Sequence, residues 1–405
     1  MISATQRAHI GSIHPFPARM APSIVWDSLP EEGKSLRVLD PMSGSGTTLV
    51  CAKAKGHHAI GYDTDPLAVL IARAWCANID PDGLKFRGAM VLARAKALAE
   101  RTQHDRAYPK HADDETRRFI DFWFDPENRR QLAALAVCIS RVRCPNQRTL
   151  LWCAFSRLII TKKAGASLAM DVSHSRPHKV FETAIVRPFD YFMRSLAHVV
   201  RNCPFRFDSP NAPLAHIGYA DARNLPAETQ SVDMIITSPP YLNAIDYLRG
   251  HKLSLVWMGY TLSYLRQIRS ENIGSEVTTH KIGCPPPIDA LKAMGRIHRL
   301  DQRRIRMLQR YACDIDRVMV ECVRVLRRGG QAIFVVGDSA ICGVFVRNSA
   351  ALSKIAQKHG LSLVSKTRRP IEEKRRYLPP PSICKSGKML QSRMREEVIL
   401  TFQRP

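Results

Sequence analysis

The chain has 405 residues, with 61 Lys and Arg against 36 Asp and Glu, a formal net charge of +25. Hydrophobic residues make up 45 %, which excludes a disordered or collagen-like chain and suffices for a sizeable core. The basic excess points to a polyanionic partner, nucleic acid before an anionic membrane.

No run of about eighteen apolar residues occurs, so no bilayer-spanning segment is expected. The opening MISATQRAHIGSIHPFPARM lacks the apolar stretch of a signal peptide, and the expectation is a cytoplasmic protein. The 11 cysteines are irregularly spaced without a CxxC, which reads as reduced thiols packed in the interior rather than disulfides or a metal site.

Taken in chain order, LRVLD (36–40) reads as a buried strand, followed by the turn PMSGSGTT and a helix to Lys55. HAIGYD (58–63) is a second strand ending in an acid, and Pro66 to Cys76 is an apolar, Ala-rich helix. Strand, turn, helix and strand in this order open a parallel α/β sheet. From about Pro81 to Pro213 helix formers dominate. Strand signals return at 216–221 and 232–237, then a helix around 242–260, then a polar, proline-punctuated loop to about Ala290. A basic helix is expected over about 299–327, with Arg327-Arg328-Gly329-Gly330 as its stop. A strand at 331–338, a helix near 349–359, a strand from Leu361 and a last strand at 396–402 complete the pattern. An α/β core is thus split into residues 1–80 and 214–405, with 81–213 as a helical insertion. A crossover between adjacent strands needs only about a dozen residues, far fewer than this block contains.

Two turns carry the chemistry. Gly44 and Gly46 follow the first strand, where glycine lets the backbone turn tightly and approach a ligand beside the free N–H groups of a helix N-terminus. Asp63, ending the second strand, is placed to accept hydrogen bonds from ribose hydroxyls. Neither GxxxxGK[ST] nor a full GxGxxG is present, which disfavours an ATP-type phosphate loop and a dinucleotide fold. The second turn is Ile236-Thr237-Ser238-Pro239-Pro240-Tyr241. Its two prolines cannot continue a central strand and force a rigid loop at the edge where α/β folds place their sites. The loop offers a hydroxyl, carbonyls and an aromatic face, a set suited to a planar base carrying an amino group.

DPMSGSGTT (40–48) together with ITSPPY (236–241) resembles the S-adenosylmethionine-dependent DNA methyltransferases that modify exocyclic amino groups. The resemblance covers about residues 10–80 and 214–260. It implies a Rossmann-like α/β fold with a mostly parallel seven-stranded sheet, S-adenosylmethionine as cofactor and double-stranded DNA as partner, with no metal and an undetermined oligomeric state. It also assigns residues. Ser238, Pro239, Pro240 and Tyr241 take the catalytic motif, and Asp40, Pro41, Gly44, Gly46, Thr47 and Thr48 the cofactor loop. Asp63 takes the ribose, and Asp221 in GYADARNLP the cofactor's adenine. His14 and Phe16, in His14-Pro15-Phe16-Pro17-Ala18-Arg19, resemble the N-terminal element packed beside the cofactor. The serine form of the motif is similar to that of cytosine-N4 enzymes, with adenine N6 as the alternative. A C5 mechanism is disfavoured, because the chain has no Pro-Cys dipeptide.

Three basic segments are candidates for reading DNA. The insertion contributes Lys162, Lys163, His174, Arg176 and Lys179, and is the expected recognition element. The helix 296–306 contributes Arg303 and Arg304. The loop 366–395, with ten Lys and Arg against two acids, contributes Arg375 and Arg376. The isolated His57, His58 and His251 read as structural or solvated. An RNA base methyltransferase and a catalytically silent nucleic-acid-binding protein are the competing readings. The setting implied is a restriction–modification or related defence system.

Overall fold

The computed structural model describes residues 10–17, 19–31, 33–173, 177–206, 213–240, 247–274, 285–371 and 396–405. The first part of the chain forms α1 (Pro22–Ser28), β1 (Arg37–Asp40), α2 (Thr47–Ala54), β2 (His58–Asp63) and α3 (Pro66–Cys76). Among the described residues, five α-helices follow without a sheet strand among them: α4 (Pro81–Glu100), α5 (Asp114–Trp123), α6 (Pro126–Ser140), α7 (Pro145–Ile159) and α8 (Pro188–Asn202). The sheet resumes with β3 (Ala215–Tyr219) and β4 (Val232–Thr237), then α9 (Leu248–Leu255), α10 (Leu262–Glu271), α11 (Ile288–Ala293) and α12 (Gln302–Val325). The last elements are β5 (Leu326–Gly337), the hairpin β6 (Ser339–Ile341) and β7 (Val344–Val346), α13 (Asn348–Lys358), β8 (Ser362–Pro370) and β9 (Glu396–Gln403).

Several helix starts are written locally. Asp65-Pro66, Asp80-Pro81 and Asp125-Pro126 each place an Asp cap before a proline at the first helical position, and each Asp side chain accepts a backbone N–H of the first turn.

The seven-stranded sheet has the order β3-β2-β1-β4-β5-β9-β8. The first five strands are parallel, and β9 runs antiparallel to both β5 and β8. Strand residues alternate between two faces. Val38, Met234 and Ile236 join a core with Leu49, Trp75 and Phe155, whereas Leu39 and Ile235 join another with Met307, Ile315 and Leu352. Segment 81–213 packs on the first of these faces, where Leu84, Leu132, Phe155 and Phe192 share one core with α2 and α3. The chain therefore has the Rossmann-like α/β fold.

Two expectations need correction, and one element was not anticipated. The span expected as a loop to Ala290 contains α10 and the start of α11, because Leu262 and Leu265 of α10 and Ala290 of α11 are buried by tertiary packing. Arg327 to Gly330 do not form a helix stop; α12 passes into β5 at Leu326, where pairing with Val232 of β4 already begins. The β6–β7 hairpin carries no signal long enough to read in advance.

Candidate functional site

The cofactor loop is built on the ends of β1 and β2. Gly44 (φ 48°) and Gly46 (φ 90°) lie in the left-handed region, and a Cβ on Gly46 would stand 2.8 Å from the Ala72 methyl. The Gly44 N–H donates to Asp63 Oδ2 at 2.8 Å, and the Asp65 N–H donates to Asp63 Oδ1 at 2.9 Å. Burial, followed by the neighbouring Asp65 charge, pushes the Asp63 carboxyl up to about 7. Asp40 is also buried, and its carboxyl is raised to about 6 although the hydroxyls of Thr237 and Thr48 and the Met42 N–H oppose that shift. Pro41 is buried beside it, as are Thr47 and Thr48 in the first turn of α2.

The loop of the second motif emerges from the adjacent strand. Parallel pairing of Val38 with Met234 and Leu39 with Ile235 brings both loops out at one edge of the sheet. Two hydroxyls bind the loops together: Thr237 Oγ1 donates to Asp40 Oδ1 at 2.7 Å, and Thr48 Oγ1 donates to the Ile236 carbonyl at 3.2 Å. Ser238 Oγ donates to the Val335 carbonyl of β5 at 3.0 Å. A hydroxyl that donates into a strand presents its oxygen as an acceptor. Pro239 is buried and Pro240 half-buried, while Tyr241 lies outside the described residues.

The N-terminal segment closes one side of the cofactor loop. Phe16 packs 3.6 Å from the position a Gly44 Cβ would take, and its ring lies 5.5 Å from Tyr247 and 5.1 Å from His251. His14 is buried against Ser156 Oγ at 3.0 Å, and burial, then the Arg157 charge, holds its pKa well below the usual histidine range. Arg157 donates to the Ile13 carbonyl, so α7 of the insertion pins this segment in place. His57 and His58 accept backbone N–H groups at strand ends. His251 has a structural role too: its Nδ1 lies 2.5 Å from Asp65 Oδ2, tying α9 to the cap of α3.

Beside Asp63 opens a cleft of about 300 Å³. Thr64 and Pro66 line it from the end of β2, Tyr219 to Asp221 from the end of β3, and Tyr260, Tyr264, Ile268 and Glu271 from α10 and the residues before it. Its size and its mostly apolar walls, with the carboxylates of Asp221 and Glu271, suit a nucleoside. Burial pushes the Tyr260 hydroxyl up, so it stays protonated. Burial opposes ionisation of Asp221, but the bonds from Arg223 more than offset it and keep the carboxyl below its ordinary value. The buried Ser43 Oγ in the cofactor loop has no hydrogen-bond partner in the protein. These groups fit the glycine-cradled, nucleoside-bearing cofactor. The part of the site that sequence reasoning missed is α10 and Arg223, neither of which carries a local motif.

The basic segments separate in space. Lys162 and Lys163 are exposed, and Lys179 is exposed over the ring of Phe122. Their loop meets α9, where a Cβ on Gly250 would stand 2.6 Å from the Val172 carbonyl. Arg303 and Arg304 sit instead in the first turn of α12, which packs on the opposite face of the sheet, and Arg304 is bound to Asp301. His174, Arg176, Arg375 and Arg376 lie outside the described residues. Among the described residues no helix is long and apolar enough to cross a membrane.

No family model matches the chain. It is 23 % identical over 398 residues to the Type II methyltransferase M.MvaI of Kocuria varians, covering 92 % of this chain and 85 % of that protein. It is 23 % identical over 368 residues to the Type II methyltransferase M.AvaI of a Nostoc strain, covering 81 % of this chain and 73 % of the relative. An S-adenosylmethionine-dependent methyltransferase of Mesorhizobium loti superimposes with a TM-score of 0.32 at 10 % identity, over 95 % of this chain and 98 % of the other. Both motif loops lie on adjacent strands of this sheet and Type II methyltransferases align along most of its length, so the chain is similar to the S-adenosylmethionine-dependent DNA methyltransferases, a likeness that supports S-adenosylmethionine as cofactor.

Proposed function

We propose that the chain transfers a methyl group to the exocyclic N4 of a cytosine flipped out of double-stranded DNA, in a restriction–modification or related setting. The observation that carries this reading is the Thr237–Asp40 bond, which holds the SPPY strand end directly against the cofactor loop. When bound, the cofactor supplies an activated sulfonium methyl. The protein's task is then to hold a weak nucleophile in line with it, which is catalysis by positioning.

The lone pair of a base amino group is delocalised into its ring. Ser238 Oγ, oriented by Val335, and the Pro239 carbonyl accept the two amino hydrogens and favour a more tetrahedral nitrogen. Tyr241 stacks on the base, which must leave the duplex to be reached. Asp63 accepts the ribose hydroxyls, the cleft at Tyr219 to Asp221 takes the adenine, and Phe16 covers the glycine turn. The loop carrying Lys162, Lys163 and Lys179 touches DNA beside α9. A cytoplasmic protein is part of this reading.

The test is expression in a host without its own DNA methylation, followed by mass spectrometry of the genomic nucleosides. N4-methylcytosine is the expected product. N6-methyladenine would overturn the base assignment and keep the rest. Neither product, from a chain that binds cofactor, would shift the substrate to RNA.

A further inference from the structure

Arg223 joins three parts of the wall around the nucleoside cleft. Its backbone N–H donates to Asp221 Oδ1 at 2.9 Å, its Nε lies 2.9 Å from Oδ1 and 3.0 Å from Oδ2, and its Nη2 reaches Oδ2 at 2.6 Å. The same guanidinium donates from Nη1 to Asp314 Oδ1 of α12 at 2.7 Å and from Nη2 to the Glu271 carbonyl at 2.6 Å. That carbonyl is one of the acceptors left without an intrahelical partner at the C-terminal end of α10. A second bond, from Thr64 Oγ1 to Asn272 Oδ1 at 2.9 Å, holds the same end of α10 to the tip of β2.

We propose that Arg223 is a positioning residue for cofactor selection: it orients Asp221 as a single directed acceptor in the cleft and latches α10 over that cleft. A carboxylate offers about four lone-pair positions, and Arg223 engages them with three donors. One position remains on a carboxylate that lines the cleft, and it matches an amino group on the bound ring. Asp314 fixes the far side of the guanidinium, so the fork cannot swing away from Asp221. Lysine cannot replace it, because an ammonium is a point charge without the planar fork. The latch has its own consequence. Tyr264, Ile268 and Glu271 of α10 form the outer wall of the cleft, so freeing the end of this helix opens the wall.

This inference rests on the reading that the cleft holds the adenosine of the cofactor. It is tested by calorimetric binding of S-adenosylhomocysteine and of S-inosylhomocysteine, in which a ring carbonyl replaces the amino group. The intact protein should prefer the adenosyl compound by at least about tenfold, since the carbonyl faces an acceptor. Arg223→Lys should weaken adenosyl binding by about tenfold and bring the ratio of the two affinities towards one. Asp314→Asn, which leaves the lining of the cleft untouched, should lower the same ratio and carries the test if the lysine variant does not fold. If both variants keep affinity and preference within about twofold of the parent, the proposal is overturned. If the parent binds neither compound, the cofactor reading of the cleft falls, and this proposal with it. If the parent binds both equally, only the role of Asp221 and Arg223 falls.

Discussion

Thr237 and Asp40 stand 197 positions apart in the chain, yet the Thr237 hydroxyl donates to Asp40 Oδ1 at 2.7 Å in the buried seam between β4 and β1. The bond joins the last residue of the strand that carries the Ser238-Pro239-Pro240 turn to the last residue of the strand that carries the glycine-rich turn. Thr237→Val keeps the shape and removes the donor, leaving a buried carboxyl short of a partner. The expected cost is about 1–3 kcal/mol, read as a lower urea midpoint at unchanged m-value. A shift below about 0.5 kcal/mol would mean that the seam does not depend on this bond.

Asp63 gives the site a pH dependence. Its carboxyl is raised by burial to about 7 in the folded protein, from an ordinary value of 3.8. Only the ionised form presents all its lone pairs as acceptors, so cofactor affinity should rise about tenfold between about pH 6 and pH 8. Asp63→Asn should bind more weakly and with a flat profile. The stability effect has the opposite sense. The folded state holds this proton more tightly than the unfolded state, so this group's contribution is fully present below about pH 4 and is lost as pH rises towards 7. Calorimetric titrations and thermal melts across that window read both signs, and a flat binding profile in the parent would remove Asp63 from the cofactor's ribose.

Gly250 lets α9 approach the insertion. A methyl there would meet the Val172 carbonyl at 2.6 Å, so Gly250→Ala must push the lysine-bearing loop away from the helix that follows the catalytic turn. DNA affinity and turnover should each fall about tenfold while cofactor affinity stays as it was, with a stability cost of about 1–3 kcal/mol. Gel-shift and calorimetric measurements on one preparation separate the two. Equal losses in both would point to a general loosening of the fold.

The three lysines of the insertion should account for part of the salt dependence of DNA binding. Replacing Lys162, Lys163 and Lys179 with Ala should reduce the slope of log affinity against log salt by about one for each phosphate that a lysine neutralises. Arg303→Ala, on the opposite side of the sheet, should leave the slope unchanged. The reverse result would move the DNA path to α12.

The backbone of both candidate turns was legible because its geometry is local. A strand followed by a glycine-rich turn, and a strand followed by Ser238-Pro239-Pro240, state their own backbone geometry. The positive φ of Gly44 and Gly46 and the buried ends of β1 and β4 follow from residue types adjacent in the chain. α10 was not legible in this way. It is mostly polar, with only Leu262 and Leu265 buried, and it is held by distant partners: Glu115 on Arg266, Thr116 on the Leu262 N–H, and Arg223 on its last carbonyl. Arg327 to Gly330 misled for a related reason. Two charges and two glycines resemble a helix stop, but strand pairing with β4 and the Gly329 N–H donation to the Arg404 carbonyl decide their conformation.

The amino-acid sequence alone determined the strands of the main sheet and where the two candidate turns lie, since hydrophobic alternation and turn chemistry act over a few residues; the cofactor came from the resemblance of those turns to a known family. The tertiary structure alone decided that α10 walls the cleft, that Arg223 grips Asp221, and that the insertion pins His14 through α7. Those arrangements are pairings between segments far apart in the chain. Each takes its energy from burying apolar surface and satisfying polar groups together, which no local stretch encodes.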